Sequence, residues 1–391
     1  MAIEAVDTRA RGLGRRRDDV HGAVAVVRRL DWILLAAVAA TLAYGLLAID
    51  GITQNDPGGS AFVRQSIYAG MGGVLFLIAL FIDPSLYRRY SRLIYAGMVS
   101  MMVVVLALGV ATRGSRRWID VGFFRFQPSE FGKVLMALFL AGFLAERARR
   151  IEGVRTPLQT IVVAALPIGL VFVQPDIGTA LVYAATLGAA LFLSGMRWSH
   201  LAAIGSLGLV LILSVLWWLP AVGVNVLKPY QQQRLIGFTD PSSDPRGTTY
   251  NINQSITTVG SGGLRGRGVA GATQTRLDYL PEHATDFAFA SLAEQRGFFG
   301  AVTLLMLYLL IVWRGLKIVT GARDLFCAIA AGSLVSAFLF QVFVNVGMTI
   351  GVAPITGIPL PFVSVGGSSM ITNLTAMGVL QAIHARGGRR R

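Results

Sequence analysis

Charge and cysteine are both scarce in this sequence. Charged residues make up 14% of the 391 residues, whereas hydrophobic residues make up 54%, and the mean hydropathy is +0.62. A soluble globular domain carries about 25% charged residues, so this composition excludes an ordinary soluble protein. It predicts instead a chain that crosses a membrane several times.

Cysteine occurs only once, at Cys327 within the apolar run LFCAIAAG, which excludes an intramolecular disulfide. We expect Cys327 to be a small buried hydrophobic residue. The four histidines are not paired at the spacing of metal ligands. A metal ion would therefore have to be held by carboxylates and by a phosphate-bearing substrate.

The net charge of +15 comes from arginines that stand in short clusters between apolar runs. Such clusters mark the cytoplasmic loops of membrane proteins, and we interpret the charge as a topology signal, not as a surface for nucleic acid. The basic stretches 1–30 and 387–391 have no apolar core of their own. We predict that both are cytoplasmic tails and that the first is disordered.

Apolar runs of about 20 residues, the length that spans a bilayer, recur along residues 31–386. We predict an all-α polytopic membrane protein with about ten transmembrane helices and both termini on the cytoplasmic side. Re-entrant segments at QPDIG (174–178) or around Asn345 and Gly347 would change that count. The predicted spans are 31–49, 65–82, 93–112, 130–145, 157–173, 177–195, 199–219, 287–312, 325–350 and 366–384.

Three connections on the opposite, extracytoplasmic face are longer than the rest: 113–129, 220–286 and 351–365. The largest joins helices 7 and 8 and ends at Asp286, where a polar loop meets a membrane helix. A carboxylate at such a boundary faces water while a lipid substrate stays in hydrocarbon. The alternative is that Thr285 or Asp286 only caps a helix beginning at Phe287.

Other charged residues also lie at the predicted outer ends. Lys133 follows Glu130 by three residues, which favours an ion pair just inside the membrane. Asp176, within QPDIGTA, either caps the sixth helix or holds a carboxylate near Asp286. Basic residues on this face either anchor headgroups or bind a substrate; they include Arg64, Arg113, Arg116, Arg117 and Arg125.

The run VGSGGLRGRGVAGAT (259–273) carries Arg265 and Arg267 among its glycines. Glycines let backbone N–H groups approach a phosphate, but glycine-rich loops are commonly just flexible. No strand precedes the run, as a nucleotide-binding fold would require. We therefore exclude a nucleotide as ligand.

Six segments, taken in order, resemble the signature segments of the SEDS family of shape, elongation, division and sporulation proteins. The resemblance covers residues 31–386, and its wording is closest to the RodA branch, with FtsW next. The segments are RWIDVGFFRFQPSEFGK (117–133), QPDIGT (174–179), QQQRL, QSITTVGSGGLRGRG (254–268), LPEHATDFAFASLAEQ (280–295) and NVGMTIGVAPITGIPLPFVSVGGSS (345–369).

This resemblance implies a peptidoglycan glycosyltransferase in the bacterial cytoplasmic membrane that polymerises lipid II on the outer face for cell elongation. It implies that Asp286 is the general base in an inverting displacement of polyprenyl diphosphate. Basic residues or a divalent cation, Mg²⁺ or Mn²⁺, would stabilise the leaving diphosphate. The residues that would bind the substrate or its diphosphate are Arg64, Glu130, Lys133, Asp176, Arg265, Arg267, Ser368 and Ser369.

The partners that the resemblance implies are lipid II, the growing glycan strand, membrane lipid and a class B penicillin-binding protein. Three alternatives remain at this point: a lipid II flippase or other transporter, an FtsW-type division protein, and a non-catalytic scaffold for the penicillin-binding protein. A flippase needs a polar path across the bilayer. The charges within the predicted spans cluster at the outer ends, which favours chemistry at the surface over transport.

Overall fold

The computed structural model describes residues 26–54, 61–112, 115–120, 122, 125–151, 153–223 and 249–387. Most of the predicted N-terminal tail, residues 224–248 of the long loop and the last four residues lie outside them. The helices are α1 (Trp32–Ile52), α2 (Ala61–Phe81), α3 (Pro84–Arg89), α4 (Ser91–Leu108), α5 (Pro128–Glu146), α6 (Arg155–Val173), α7 (Ile177–Leu193), α8 (Trp198–Leu213), α9 (Tyr250–Ser261), α10 (Gly268–Gly271), α11 (Thr273–Arg276), α12 (Ala288–Thr320), α13 (Leu325–Thr349) and α14 (Gly367–Gly387).

Seven helices in the described part of the chain are long and apolar enough to cross a membrane, namely α1, α2, α4, α5, α6, α12 and α13. Helices α7 and α8 are apolar but shorter, and α14 lies inside the bundle. A helix occupies each predicted span, which confirms an all-α polytopic membrane protein. The suspected interruption of the ninth span does not occur, because α13 runs through Asn345 and Gly347.

The core of the bundle is formed by α5, α13 and α14, whose residues are mostly buried. Helices approach closely where one of them contributes glycine. A Cβ on Gly72 of α2 would lie 2.6 Å from Leu374 Cδ1 of α14, and a Cβ on Gly378 would overlap the backbone of Phe76. Such close contacts hold membrane helices together, because lipid chains are as apolar as the side chains themselves.

Helix α14 is less apolar than the other long helices, yet it is almost fully buried. Several of its polar side chains are satisfied within the protein. Thr375 Oγ1 donates to the Ile371 carbonyl oxygen at 2.8 Å, and Gln381 exchanges two hydrogen bonds, of 3.0 and 2.9 Å, with the backbone of Asp31. Burial of these polar groups is tolerated because each has a partner.

Ion pairs join the helix ends at the face opposite Asp286. Arg314 Nη2 of α12 lies 2.7 Å from Asp31 Oδ2 at the start of α1. Asp83, which follows α2, lies 3.4 Å from the guanidinium groups of both Arg323 and Arg386. These contacts fix the ends of α1, α2, α12 and α14 relative to one another.

The connection before α5 is a small sheet, which the sequence did not predict. Residues 110–112, expected to end the third span, instead form its first strand. Trp118 pairs with Val110, and Ile119 pairs with Phe126. The antiparallel strands are β1 (Val110–Thr112), β2 (Ser115–Asp120) and β3 (Arg125–Phe126).

Helix α12 is interrupted at Gly297, where φ is 67° and ψ is −167°. Only glycine adopts this combination readily. The predicted span 287–312 is therefore wrong as a continuous helix: a short segment, 288–296, precedes the break and a long one, 298–320, follows it. The long segment alone reaches about 35 Å, enough to cross the hydrocarbon.

Candidate active site

Asp286 lies in a turn that precedes α12. Residues 280–287 form successive turns, and Glu282 adopts a left-handed φ of 54°. The N-cap of α12 is Phe287, so neither Thr285 nor Asp286 occupies the cap position that the alternative interpretation required. Asp286 is partly exposed, which leaves it accessible to a substrate.

Local hydrogen bonds stabilise this turn from within. Thr285 Oγ1 donates to Glu282 Oε2 at 2.9 Å, and Phe287 N donates to the Glu282 carbonyl oxygen at 3.2 Å. His283 Nδ1 lies 3.2 Å from the Leu280 carbonyl oxygen. Contacts on both sides of Asp286 therefore fix the path of the backbone that carries it.

Helix α13 holds the backbone of Asp286 itself. The buried side chain of Asn345 donates from Nδ2 to the Asp286 carbonyl oxygen at 3.0 Å and to the Ile358 carbonyl oxygen at 2.7 Å. Both bonds use the amide nitrogen, whereas the buried Oδ1 has no hydrogen-bond partner among the described residues. Asn345 therefore connects the turn of Asp286 to the loop that precedes α14.

The loop between α13 and α14 enters the bundle and supports the same turn. Ser364 Oγ donates to the Thr285 carbonyl oxygen, and Val365 N donates to the Ala284 carbonyl oxygen at 2.9 Å. Gln65 of α2 is buried and donates to the Ser364 carbonyl oxygen at 2.9 Å. The turn thus rests on a rigid layer made by three parts of the chain.

Glu130 and Lys133 form the ion pair that their spacing predicted. Lys133 Nζ lies 2.7 Å from Glu130 Oε2, and the two side chains are only 5% and 4% exposed. A buried pair at this distance resists separation, because either charge alone would be strongly penalised. In this structure the ammonium group is held by its partner and is not open to solvent.

Asp176 caps α7, as one of its two interpretations predicted. Its Oδ1 accepts from Thr179 N at 3.0 Å, its Oδ2 accepts from Gln127 Nε2 at 2.9 Å, and Arg117 Nη1 lies 3.6 Å away. The carboxylate therefore joins α7 to the chain between β3 and α5. Ile358, whose carbonyl oxygen accepts from Asn345, packs against Gly178 in the first turn of α7.

The serines at the start of α14 have internal partners. Ser368 Oγ accepts from Gln127 N at 2.9 Å and donates to the Arg125 carbonyl oxygen at 3.1 Å. Ser369 Oγ accepts from Asn373 Nδ2 at 3.1 Å. Both serines are buried, so in this structure they tie α14 to the small sheet and to its own first turn.

Three of the exposed cations near Asp286 are Arg64, at the start of α2, and the pair Arg265 and Arg267; Arg125 and Arg276 are exposed as well. Arg267 Nε donates to the Ser261 carbonyl oxygen at 2.8 Å, which orients its guanidinium group. The glycines beside them serve close packing: a Cβ on Gly266 would overlap the backbone of α12. The cations therefore stand on a loop that is anchored to α12.

Four polar residues that shape the site had no predicted role there. Asn345, Gln65, Ser364 and Glu294 are all buried. Asn345, Glu294 and Ser364 lie within the segments that resemble the family's signatures, and Asn345, Glu294 and Gln65 are polar residues within predicted spans. Those two features were the signals available for them.

The described ranges contain no cluster of three or more His, Cys, Asp or Glu side chains that could hold a metal ion. The described side chains of this face therefore do not form a metal centre by themselves. A divalent cation bound to them would take its remaining oxygen ligands from the phosphate groups of a substrate.

Known proteins are similar to this chain along most of its length. Residues 27–387 match the family FTSW_RODA_SPOVE, described as cell cycle protein. The chain is 37% identical over 355 residues to the peptidoglycan glycosyltransferase MrdB of Escherichia coli K12, covering 91% of this chain and 93% of that protein. It is 36% identical over 353 residues to stage V sporulation protein E of Bacillus subtilis, covering 89% and 93%.

Two solved structures are similar along nearly the full length. A chain of a peptidoglycan synthase complex that coordinates polymerization and crosslinking has a TM-score of 0.78 and 30% identity, covering 92% of this chain and 99% of that one. The rod shape determining protein RodA of Thermus thermophilus has a TM-score of 0.69 and 27% identity, covering 92% and 98%.

Proposed function

The chain belongs to the FtsW, RodA and SpoVE family of cell cycle proteins, and we propose that Asp286 is the general base with which it polymerises lipid II. The activity itself is that of its relatives: the chain is a peptidoglycan glycosyltransferase. Asp286 is the residue to which this chemistry is assigned, because its backbone is fixed by Asn345 and its side chain is partly exposed.

The reaction requires one proton transfer at the sugar acceptor. The Asp286 carboxylate takes the proton from an acceptor hydroxyl, whose oxygen attacks the anomeric carbon of the donor. The bond from that carbon to the diphosphate breaks, and polyprenyl diphosphate leaves with the electron pair, inverting the anomeric centre. A single carboxylate is sufficient, since a diphosphate leaves without a general acid, whereas glycosidases use two carboxyl groups.

Stabilisation of the leaving diphosphate falls to cations on the same face. Arg64, Arg265 and Arg267 are exposed and can approach a phosphate directly, whereas Lys133 is held by Glu130. Oriented positive charge of this kind is a large term in transfer reactions. A Mg²⁺ or Mn²⁺ ion bound to the diphosphate belongs to the substrate in this scheme, and chelation should lower turnover more than lipid II binding.

The proposed orientation has both termini in the cytoplasm and Asp286 on the outer face of the cytoplasmic membrane. It is supported by the arginine clusters in the loops on the side of Asp31. Single cysteines at exposed Thr257 and Arg149 test it, because the native Cys327 is buried and gives no background. Labelling of the Thr257 variant alone by an impermeant reagent is expected, and the reverse pattern would overturn the orientation.

The proposed partner is a class B penicillin-binding protein that crosslinks the strands, in cell elongation. The similarity to a chain from a complex that coordinates polymerization and crosslinking supports this assignment. The described part of the chain has no large domain outside the membrane that could crosslink peptides itself. Association with a transpeptidase of the elongation machinery, and not of division, would distinguish the RodA role from the FtsW role.

Reconstitution tests the proposed function directly. The purified chain in liposomes containing lipid II is expected to form glycan strands from lipid II exposed on the outer face. Transbilayer movement of lipid II without strands would favour the flippase alternative. Strand synthesis that appears only after a partner polymerase is added would favour the scaffold.

A further inference from the structure

The break at Gly297 is stabilised by the glycine-rich loop. Phe298 N donates to the Gly263 carbonyl oxygen at 2.9 Å, and Phe299 N donates to the Leu264 carbonyl oxygen at 3.3 Å. These N–H groups open the long segment of α12, so they have no partners in the preceding turn. The loop thus caps the segment that crosses the membrane.

Glu294 lies in the short segment before the break, and its side chain contacts the start of α11. Its buried carboxylate accepts from Gln274 N at 2.9 Å, from Thr275 N at 3.0 Å and from Thr275 Oγ1 at 2.7 Å. Its own carbonyl oxygen accepts from Arg267 N at 2.9 Å. Glu294 therefore caps α11, while the loop before α11 caps the second half of α12.

Glycines bring the two backbones into direct contact. A Cβ on Gly262 would overlap the carbonyl group of Ala293, and a Cβ on Gly297 would overlap Gly266 N. No side chain separates the loop from the break at these points. We call this unit, made of residues 262–267, 273–276 and 293–297, the glycine clamp.

We propose that Glu294 is a positioning residue for Asp286 and acts through the glycine clamp; this inference rests on the proposed function of Asp286. Segment 288–296 is a short rigid helix with Asp286 just before one end and the clamp at the other. The Asp286 end contacts Asn345, and the clamp end is held by Glu294 and the glycine contacts. Loss of the Glu294 contacts lets the clamp end change its direction, and the rigid segment carries that change to Asp286.

The geometry sets the size of the effect. The nine residues 288–296 span about 12 Å, so a change of about 5° in the direction in which the clamp holds this segment displaces its Asp286 end by about 1 Å. A displacement near 1 Å of a reacting group can lower the rate by about 100-fold. The hydrogen bond from Asn345 to the Asp286 carbonyl oxygen limits this displacement. We therefore expect kcat to fall by about tenfold or more, with little change in KM.

The test compares Glu294→Gln, Thr275→Val and the double variant in reconstituted polymerisation of lipid II, with kcat expressed per folded molecule. Each single variant is expected to lower kcat and leave KM within about twofold, and the double variant should be no worse than the poorer single one, because both changes break the same contact. Thr275→Ser keeps the hydroxyl and should retain activity. Glu146→Gln, at an exposed carboxylate on the opposite face, is the matched control.

Wild-type kcat in folded Glu294→Gln would overturn the inference, as would multiplicative losses in the double variant. Equal losses of kcat in Thr275→Val and Thr275→Ser would also overturn it. If Glu294→Gln does not fold, the Thr275 pair decides. An inactive wild type would instead contradict the proposed function, so the two failures are distinguishable.

Discussion

Removal of the Lys133 ammonium should separate a structural from a functional role for its ion pair. Lys133→Met leaves the Glu130 carboxylate buried and without its partner at 2.7 Å. Breaking a buried pair from one side costs about 3–5 kcal/mol. Because a protein is stable by only about 5–15 kcal/mol, we expect this single variant to lose much of its thermal stability in detergent.

The double variant Lys133→Met/Glu130→Met removes both charges and replaces both side chains with hydrophobic ones of similar volume. Replacing a whole buried pair is often neutral for stability, so thermal unfolding should return close to that of the wild type. If Lys133 also stabilises the diphosphate in the transition state, turnover per folded molecule should remain about 100-fold or more below that of the wild type. Thermal unfolding and lipid II polymerisation measured on one preparation give both quantities.

Recovery of stability and turnover together in the double variant would refute a functional role for Lys133. Arg92→Gln is the matched control, because the exposed pair of Arg92 and Glu146, at 3.5 Å, contributes about 1 kcal/mol or less. That variant should be unchanged in both measurements. A large loss in it would show that the assay reports general damage to the bundle.

Three further predictions follow from single positions. Asp286→Glu keeps the charge but moves the carboxylate by a methylene, so polymerisation should fall by about 100-fold with lipid II binding retained; near-normal rates would contradict the role of Asp286. Gly297→Ala places a Cβ against Gly266 N at a position where φ is 67°. The free energy of unfolding should fall by at least about 1–3 kcal/mol. An unshifted melting temperature would disprove this. Burial raises the pKa of Asp83, but hydrogen bonds from Ser85 and the charges of Arg323 and Arg386 outweigh it and leave the pKa lowered. Ionised Asp83 therefore stabilises the fold above its unfolded pKa, and this contribution is lost as the pH falls through the folded pKa; Asp83→Asn should melt lower than the wild type at neutral pH only, and an equal difference at acid pH would contradict this.

The helices were predictable because the thickness of the hydrocarbon sets their length. Hydropathy placed α1, α2, α4 to α8 and α13 within a few residues of their observed bounds, but it did not predict the short helix α3. It also located α14, but not its central position, since the polar Gln381 is buried there with a partner, Asp31, that lies 350 residues earlier in the chain. The sequence of a buried helix does not indicate where the hydrogen-bond partners of its polar residues lie.

The face that carries Asp286 was harder to predict, because its structure depends on contacts between distant segments. One glycine within an apolar run did not reveal the break at Gly297, which exists because the loop around Gly263 supplies carbonyl groups to Phe298 and Phe299. Asp286 stood out from the sequence as an acid at a membrane boundary. The contact from Asn345 that fixes it, by contrast, joins residues 59 positions apart.

The most direct test of the central claim is the initial rate of glycan synthesis from lipid II by the reconstituted Asp286→Asn protein, measured beside its binding of lipid II. The amide keeps the shape of the side chain but cannot accept the hydroxyl proton. We predict no detectable strands and unchanged binding. Strand synthesis at the wild-type rate would contradict the assignment of Asp286 as the general base.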